Sequence, residues 1–161
     1  MMRILSTDHL WGYVMIDEND KQIIRALNKD ARLSYREIAQ LLNLSVGTVS
    51  HRIKRMEERG VIKGYVPAID PEKVGYELRA IIYLNISKGK MRDVEEKIVG
   101  YNNIVGVYDV TGDFDAVVIG RFINRKQLND FVKEIQTIEY VERTNTSVIL
   151  DVLKEDILVD I

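Results

Sequence analysis

Apolar positions recur in two rhythms along this chain, helical in the first part and alternating in the second. From about Asp17 to Ala31, Ile16, Ile23, Ile24 and Leu27 lie close to one helical stripe, with Asp17 and Asp20 near the start, where the helix dipole favours acids. Asn28-Lys29-Asp30 ends that segment. Ser34-Tyr35-Arg36-Glu37 fits the S-x-x-E capping box, in which serine and glutamate satisfy each other's free backbone N–H, and predicts a second helix running through Ile38, Ala39, Leu41 and Leu42. After the short break Asn43-Leu44, Ser45 is a cap for a third helix, Val46 to about Arg59, which Gly60 stops. Val61–Val66 is β-branched and aromatic and reads as a short strand. Pro67, Asp70-Pro71 and Gly75 then mark 67–77 as a hinge, and both prolines of the chain fall there.

Beyond the hinge, strands and helices alternate. Leu78–Ser87, Ile104–Thr111, Ala116–Ile123 and a stretch within Val141–Leu153 read as strands, with Gly112-Asp113-Phe114-Asp115 as a tight turn. Lys90–Val99, with Met91, Val94 and Ile98 on one side, and Arg125–Gln136, with Leu128, Phe131, Val132 and Ile135 inward, read as helices. The order βαββαβ is the split ferredoxin-like unit, four antiparallel strands with two helices on one face. Both faces of the sheet are apolar. Ala80, Ile82, Leu84 and Ile86 alternate with Ile81 and Tyr83, Val117 and Ile119 with Ala116 and Val118, and Ser147, Ile149 and Leu153 with Val148, Leu150 and Val152. A sheet with one wet face alternates apolar and polar, so the face without helices needs a partner, most simply a second copy of the chain.

The third helix carries the candidate chemistry. At 100° per residue, Val46, Val49, Ile53 and Met56 form a stripe expected in the core. The opposite side displays Gly47, Thr48, His51, Lys54 and Arg55. Slim residues come first, then hydrogen-bonders, then cations. A helix entering the DNA major groove wants this order, because its first turns approach base edges while later cations meet phosphates. Two helices, a tight turn and such a helix make a helix-turn-helix. Charge points the same way. The net charge of −2 hides a balance of +3 over residues 1–66 and −5 over 67–161, and Arg52, Lys54, Arg55, Arg59 and Lys63 cluster in segment 45–63. A solvated helix face is the plainer reading of the same residues.

Composition removes other classes. With no Cys and only His9 and His51, disulfide scaffolds, zinc clusters, iron–sulfur sites and thiol nucleophiles are excluded, and no metal or cofactor is expected. Asp109, Asp113 and Asp115 lack the further oxygen ligands and distal Glu of a calcium loop. No hydrolase elbow, phosphate loop or zinc-protease motif occurs. No long apolar run or secretory signal is present, so a cytoplasmic protein is expected.

The segment IDENDKQIIRALNKDARLSYREIAQLLNLSVGTVSHRIKRMEERGVIKGYVPAID resembles the DNA-binding half of the Lrp/AsnC, or feast/famine, transcription regulators almost throughout. VYDVTGDFDAVVIGRF resembles the strand–turn–strand of their effector domain, with the T-G-x-x-D turn present as Thr111-Gly112-Asp113-Phe114-Asp115. The resemblance spans about 16–153. It implies an α+β chain with a winged helix-turn-helix domain at 15–63, a connecting strand and hinge at 64–77, and a ferredoxin-like domain at 78–161 for effector binding and dimerisation. It implies a homodimer pairing through its sheets and assembling further into tetramers or octamers, with amino-acid effectors bound where dimers meet. Double-stranded DNA and an amino acid are thus the expected partners. Ser45, Gly47, Thr48, His51, Arg52, Lys54 and Arg55 are the expected DNA contacts. Gly112, Asp113 and Asp115 carry over by motif as effector residues; Thr144 and Thr146 join them because residues two apart on the last strand share a face. Family members begin near Met15-Ile16-Asp17, which leaves 1–14 as an N-terminal extension, either an upstream start-codon choice or a genuine arm whose Arg3 can touch DNA and whose Trp11 and Tyr13 can pack on a partner. Two rivals stand beside this reading: an architectural DNA organiser that senses no ligand, and a ferredoxin-like enzyme with a helical appendage.

Overall fold

The computed structural model describes residues 16–155, 158, 159 and 161. The extension 1–14, with Arg3, Trp11 and Tyr13, lies outside the described residues. The chain divides into two compact units: one up to Pro67 together with the tail from Asp156 onward, the other Ala68–Glu155.

The first unit holds α1 (Glu18–Lys29), α2 (Tyr35–Leu42) and α3 (Val46–Glu58). Each start is capped. Asp17 and Asp20 form a reciprocal capping box on α1, Ser34 and Glu37 form the expected one on α2, and Ser45 accepts from the Thr48 N–H on α3. The turn between α2 and α3 runs through Asn43 at φ +54°, a left-handed conformation that asparagine tolerates better than most residues. Ile23, Ile38, Ala39, Val49, Ile53 and Met56 close the core between the three helices. Val46 does not join them. It is 46% exposed, because it sits on the first turn of α3, beyond the reach of the facing helices.

Val61–Val66 forms no strand. A strand exists through its ladder, and no described segment of this unit pairs with it. The stretch leaves α3 through a Val61 N–H bond to the Met56 carbonyl, and the Tyr65 hydroxyl donates to Glu57 at 3.0 Å.

The second unit opens with a 3₁₀ turn at Glu72–Val74 and continues as β1 (Leu78–Ile86), α4 (Met91–Ile98), β2 (Ile104–Asp109), β3 (Ala116–Phe122), α5 (Arg125–Gln136) and β4 (Val141–Ile149). The sheet order is β2-β3-β1-β4, and every neighbouring pair is antiparallel. This is the expected ferredoxin-like βαββαβ. Ala80, Ile82, Leu84 and Ile86 of β1, with Ala116, Val118 and Phe122 of β3, form one buried cluster with Val94 and Ile98 of α4 and Leu128, Phe131 and Ile135 of α5. Both helices therefore cover the same face.

On the other face Ile81 pairs with Ile119 and Tyr83 with Val117, all four only half-buried. The last strand, Val141–Ile149, lies within the expected 141–153 stretch, and the apolar alternation continues past its end. Leu150 is 96% exposed, because no strand continues beside it to hold a ladder. No helix among the described residues is long and apolar enough to cross a membrane.

Candidate nucleic-acid interface and effector turn

The core contacts of α3 fix which of its residues face outward. With Val49, Ile53 and Met56 buried, Gly47, His51 and Lys54 lie on the far side and are exposed. Thr48 lies on the flank, its hydroxyl 2.8 Å from the Ser45 hydroxyl, so the first turn carries two linked hydroxyls. A methyl group at Gly47 would touch only the Ser45 hydroxyl, at 3.8 Å. The fold therefore does not require glycine there.

Arg52 and Arg55 point elsewhere. Arg52 Nη1 donates to both Asp17 oxygens, at 2.6 and 2.8 Å, and to Asp20 Oδ1 at 2.8 Å. Arg55 Nη2 donates to Asp20 Oδ2 at 2.7 Å. Asp20 is the one charged side chain buried among the described residues, 1% exposed, while the arginine side chains are 19% and 32% exposed. Arg52's hydrogen bond holds the Asp17 carboxyl below the usual carboxylate range. The two arginines expected on phosphates are thus engaged in pinning α3 to the start of α1, and Arg55 keeps its other guanidinium nitrogens for an outside partner. The sequence reading placed Asp20 at the helix dipole and missed its role as counter-ion. The residue types were visible, an acid in the first turn of one helix and two arginines three apart on another, but their pairing depends on how the helices cross.

In the second unit the turn between β2 and β3 is built as its motif predicts. Gly112 takes φ +121°, a conformation that side-chain-bearing residues rarely adopt. The backbone of Asp115 bridges its neighbours, with its N–H donating to the Leu84 carbonyl and its carbonyl accepting from Val110. Its carboxylate accepts from the Ile86 N–H at 2.8 Å. Asn85 donates to the Asp113 carbonyl at 2.8 Å, and the Tyr83 and Phe114 rings lie 4.9 Å apart. The Asp113 side chain remains exposed. Thr144 and Thr146 do share a face, opposite Leu84 and Ile82, and it is the helix-covered one. Thr144 accepts from Gln136 of α5 at 2.8 Å. Since β1 lies between β3 and β4, the threonines stand about 9–10 Å from the β3 end of the turn. The structure brings Gly112, Asp113 and Asp115 together and leaves the threonines off that cluster.

A three-helix unit presenting one slim polar helix face, followed by a helix-backed antiparallel sheet, defines a two-part regulator: a DNA-binding head and a ligand-binding domain. Residues 16–63 match the winged helix-turn-helix DNA-binding family, and residues 79–159 match the Lrp/AsnC ligand binding domain. The chain belongs to the Lrp/AsnC family of transcriptional regulators. An uncharacterized HTH-type transcriptional regulator of Pyrococcus abyssi is 49% identical over 142 residues, spanning 88% of this chain and 97% of its own. The leucine response regulatory protein of Mycobacterium tuberculosis superposes with a TM-score of 0.78 at 30% identity, over 87% of this chain and 96% of its own. A transcriptional regulator of Neisseria meningitidis solved as an L-Met complex shares the fold, with a TM-score of 0.84 at 23% identity over 91% and 97% of the two chains. The matched domains and relatives are those of transcription regulators and not of enzymes.

Proposed function

We propose that α3 reads operator DNA from a two-fold dimer and that an amino acid seated at the Gly112–Asp115 turn tunes that binding. The observation that carries the DNA reading is the outer face of α3, where Gly47, His51 and Lys54 stand exposed with the Ser45 and Thr48 hydroxyls beside them. Slim polar groups reach base edges and Lys54 reaches phosphate, while Arg52 and Arg55 hold the helix in register through Asp20, with Arg55 touching phosphate through its remaining nitrogens. Half-sites then lie about one helical turn, ~34 Å, or a multiple apart. Dimerisation is supported by the half-buried Ile81, Tyr83, Val117 and Ile119 on the sheet face without helices. The amino-acid effector is supported by the turn motif and by the L-Met bound to the Neisseria meningitidis regulator of the same fold. In this chain's turn the exposed Asp113 carboxylate would accept from the ligand ammonium, and Gly112 allows close backbone approach.

Fluorescence anisotropy on promoter DNA tests the head. Lys54→Ala weakens specific and non-specific binding alike and lowers the salt slope by about one, whereas Thr48→Ala alters sequence preference. If both variants bind like the parent, α3 is not the reader. One observation favours a second reading, an architectural DNA-binding protein without ligand sensing: the Asp115 carboxylate and the Thr144 hydroxyl are already committed inside the fold. Calorimetry with the twenty amino acids separates the two. Binding by the parent and its loss in Asp113→Ala supports the sensor, and no binding by the parent supports the organiser.

A further inference from the structure

At the other end of the sheet, about 23 Å along β1 from the Gly112–Asp115 turn, the second unit carries a cleft of about 210 Å³. Its apolar wall comes from Ile69, Val74 and Val105, each at least half exposed, with Pro71 and Tyr76 beside them, and besides the Tyr76 hydroxyl its polar side chains are Asn102, Asn103 and Arg121. Val105 reaches it because the β2–β3 register breaks between Ile104 and Gly106, which turns the extra residue outward. Apolar walls with a few convergent polar groups are the ordinary make-up of a small-molecule site, and this volume suits a ligand smaller than a drug.

The polar groups specify the ligand. Arg121 stands directly across from Arg79 in the β1–β3 ladder, and the two share one acid, Glu155. Arg79 takes the Glu155 oxygen at 2.7 Å, which leaves Arg121 Nη2 3.6 Å from that same oxygen, outside hydrogen-bond range. Arg121 therefore has guanidinium N–H donors to spare, and its planar fork matches a carboxylate. The Asn102 and Asn103 side-chain amides have no hydrogen-bond partner among the described residues, and either can donate to a carbonyl oxygen. No acid lines the cleft. An ammonium seated there would lose water beside the Arg121 cation, with the neighbouring acid, Glu155, already taken by Arg79.

We infer that this cleft binds a small apolar monocarboxylate without an amino group, a branched keto acid being the best fit, with its carboxylate on Arg121 and its carbonyl on the asparagines. The site is separate from the effector turn and takes a chemically different ligand: the same carbon skeleton without the ammonium.

Calorimetry of the full chain with ketoisocaproate and with leucine tests this, in the Asp113→Ala background so that the turn does not contribute. Ketoisocaproate binds in that background, and leucine binds at least about tenfold more weakly. Arg121→Gln lowers keto-acid affinity about tenfold to a hundredfold. Asn102→Asp, at an exposed position that the fold does not use, repels the carboxylate and lowers it similarly. Should Arg121→Gln fail to fold by circular dichroism, Asn102→Asp decides alone. No binding of ketoisocaproate at millimolar concentration, equal binding of leucine, or unchanged affinity in the folded cleft variants overturns the assignment.

Discussion

Replacing Asp20 should separate the stability of the head from its affinity for DNA, moving the two in opposite directions. Its carboxylate accepts from Arg52 at 2.8 Å, from Arg55 at 2.7 Å and from the Asp17 N–H at 3.2 Å, and it is 1% exposed. Hydrogen bonds to charged groups contribute about 1.5–3 kcal/mol each, and removing one partner of a buried ion pair costs about 3–5 kcal/mol. Here the arginines are partly exposed and Arg52 keeps Asp17, so water and a second acid recover part of the loss. Asp20→Ala is then expected to cost about 3 kcal/mol. Asp20→Asn, which can still accept at the helix cap, is expected to cost about half that. For a unit this small, 3 kcal/mol lowers the melting temperature by about 12 °C or more. Thermal unfolding at 222 nm, with hydrogen exchange of the α1 and α3 amides to locate the change, reads it directly. Without the Asp20 carboxylate the Arg52 and Arg55 charges are less neutralised, so non-specific DNA binding strengthens at low salt. Equal melting temperatures for parent and Asp20→Ala, or weaker non-specific DNA binding by a variant still folded, would refute the reasoning.

Three further outcomes follow from single positions. Gly47→Ala should raise the stability of α3 by about 0.5–1 kcal/mol, since the methyl group has room and alanine is the better helix former, while lowering operator affinity; unfolding and anisotropy on the same preparation check both signs. Gly120→Ala should destabilise the second unit by about 1–3 kcal/mol, because a Cβ there would sit 2.8 Å from the fully buried Phe122 ring and 3.0 Å from Ile104, as urea unfolding would show. Burial on α4 and the neighbouring Asp109 carboxylate push the Glu95 carboxyl from 4.5 up to about 7, against the opposing pull of Arg92. The folded chain then holds a proton that the unfolded chain releases, so this group's stabilisation is complete below about pH 4.5 and is lost as pH rises through about 7. Glu95→Gln should therefore raise the melting temperature at pH 8 and change it little at pH 4.

Much of this protein was legible in the order of its residues, and the reason is local. Capping boxes act over three residues, so Ser34 and Glu37 announced α2, and Ser45 announced α3, without knowledge of anything distant. Period-2 and period-3.6 patterns fixed βαββαβ, because the pattern is imposed by which side must meet the core. Gly112 marked its turn through a backbone conformation that only glycine enters freely. Long-range pairing decided the rest. Val61–Val66 has the composition of a strand and no ladder partner among the described residues, and Leu150–Leu153 has the alternation of one and lies past the sheet's end. Val46 follows the stripe but not the core, since a helical wheel carries no information about where the facing helices stop. Thr144 and Thr146 share a face, as spacing demands, yet only the strand order put β1 between them and the turn. Arg52 and Arg55 carry the charge that suggested phosphate, and whether an arginine faces DNA or a buried Asp20 thirty-odd residues away depends on how α1 crosses α3, which no local pattern encodes.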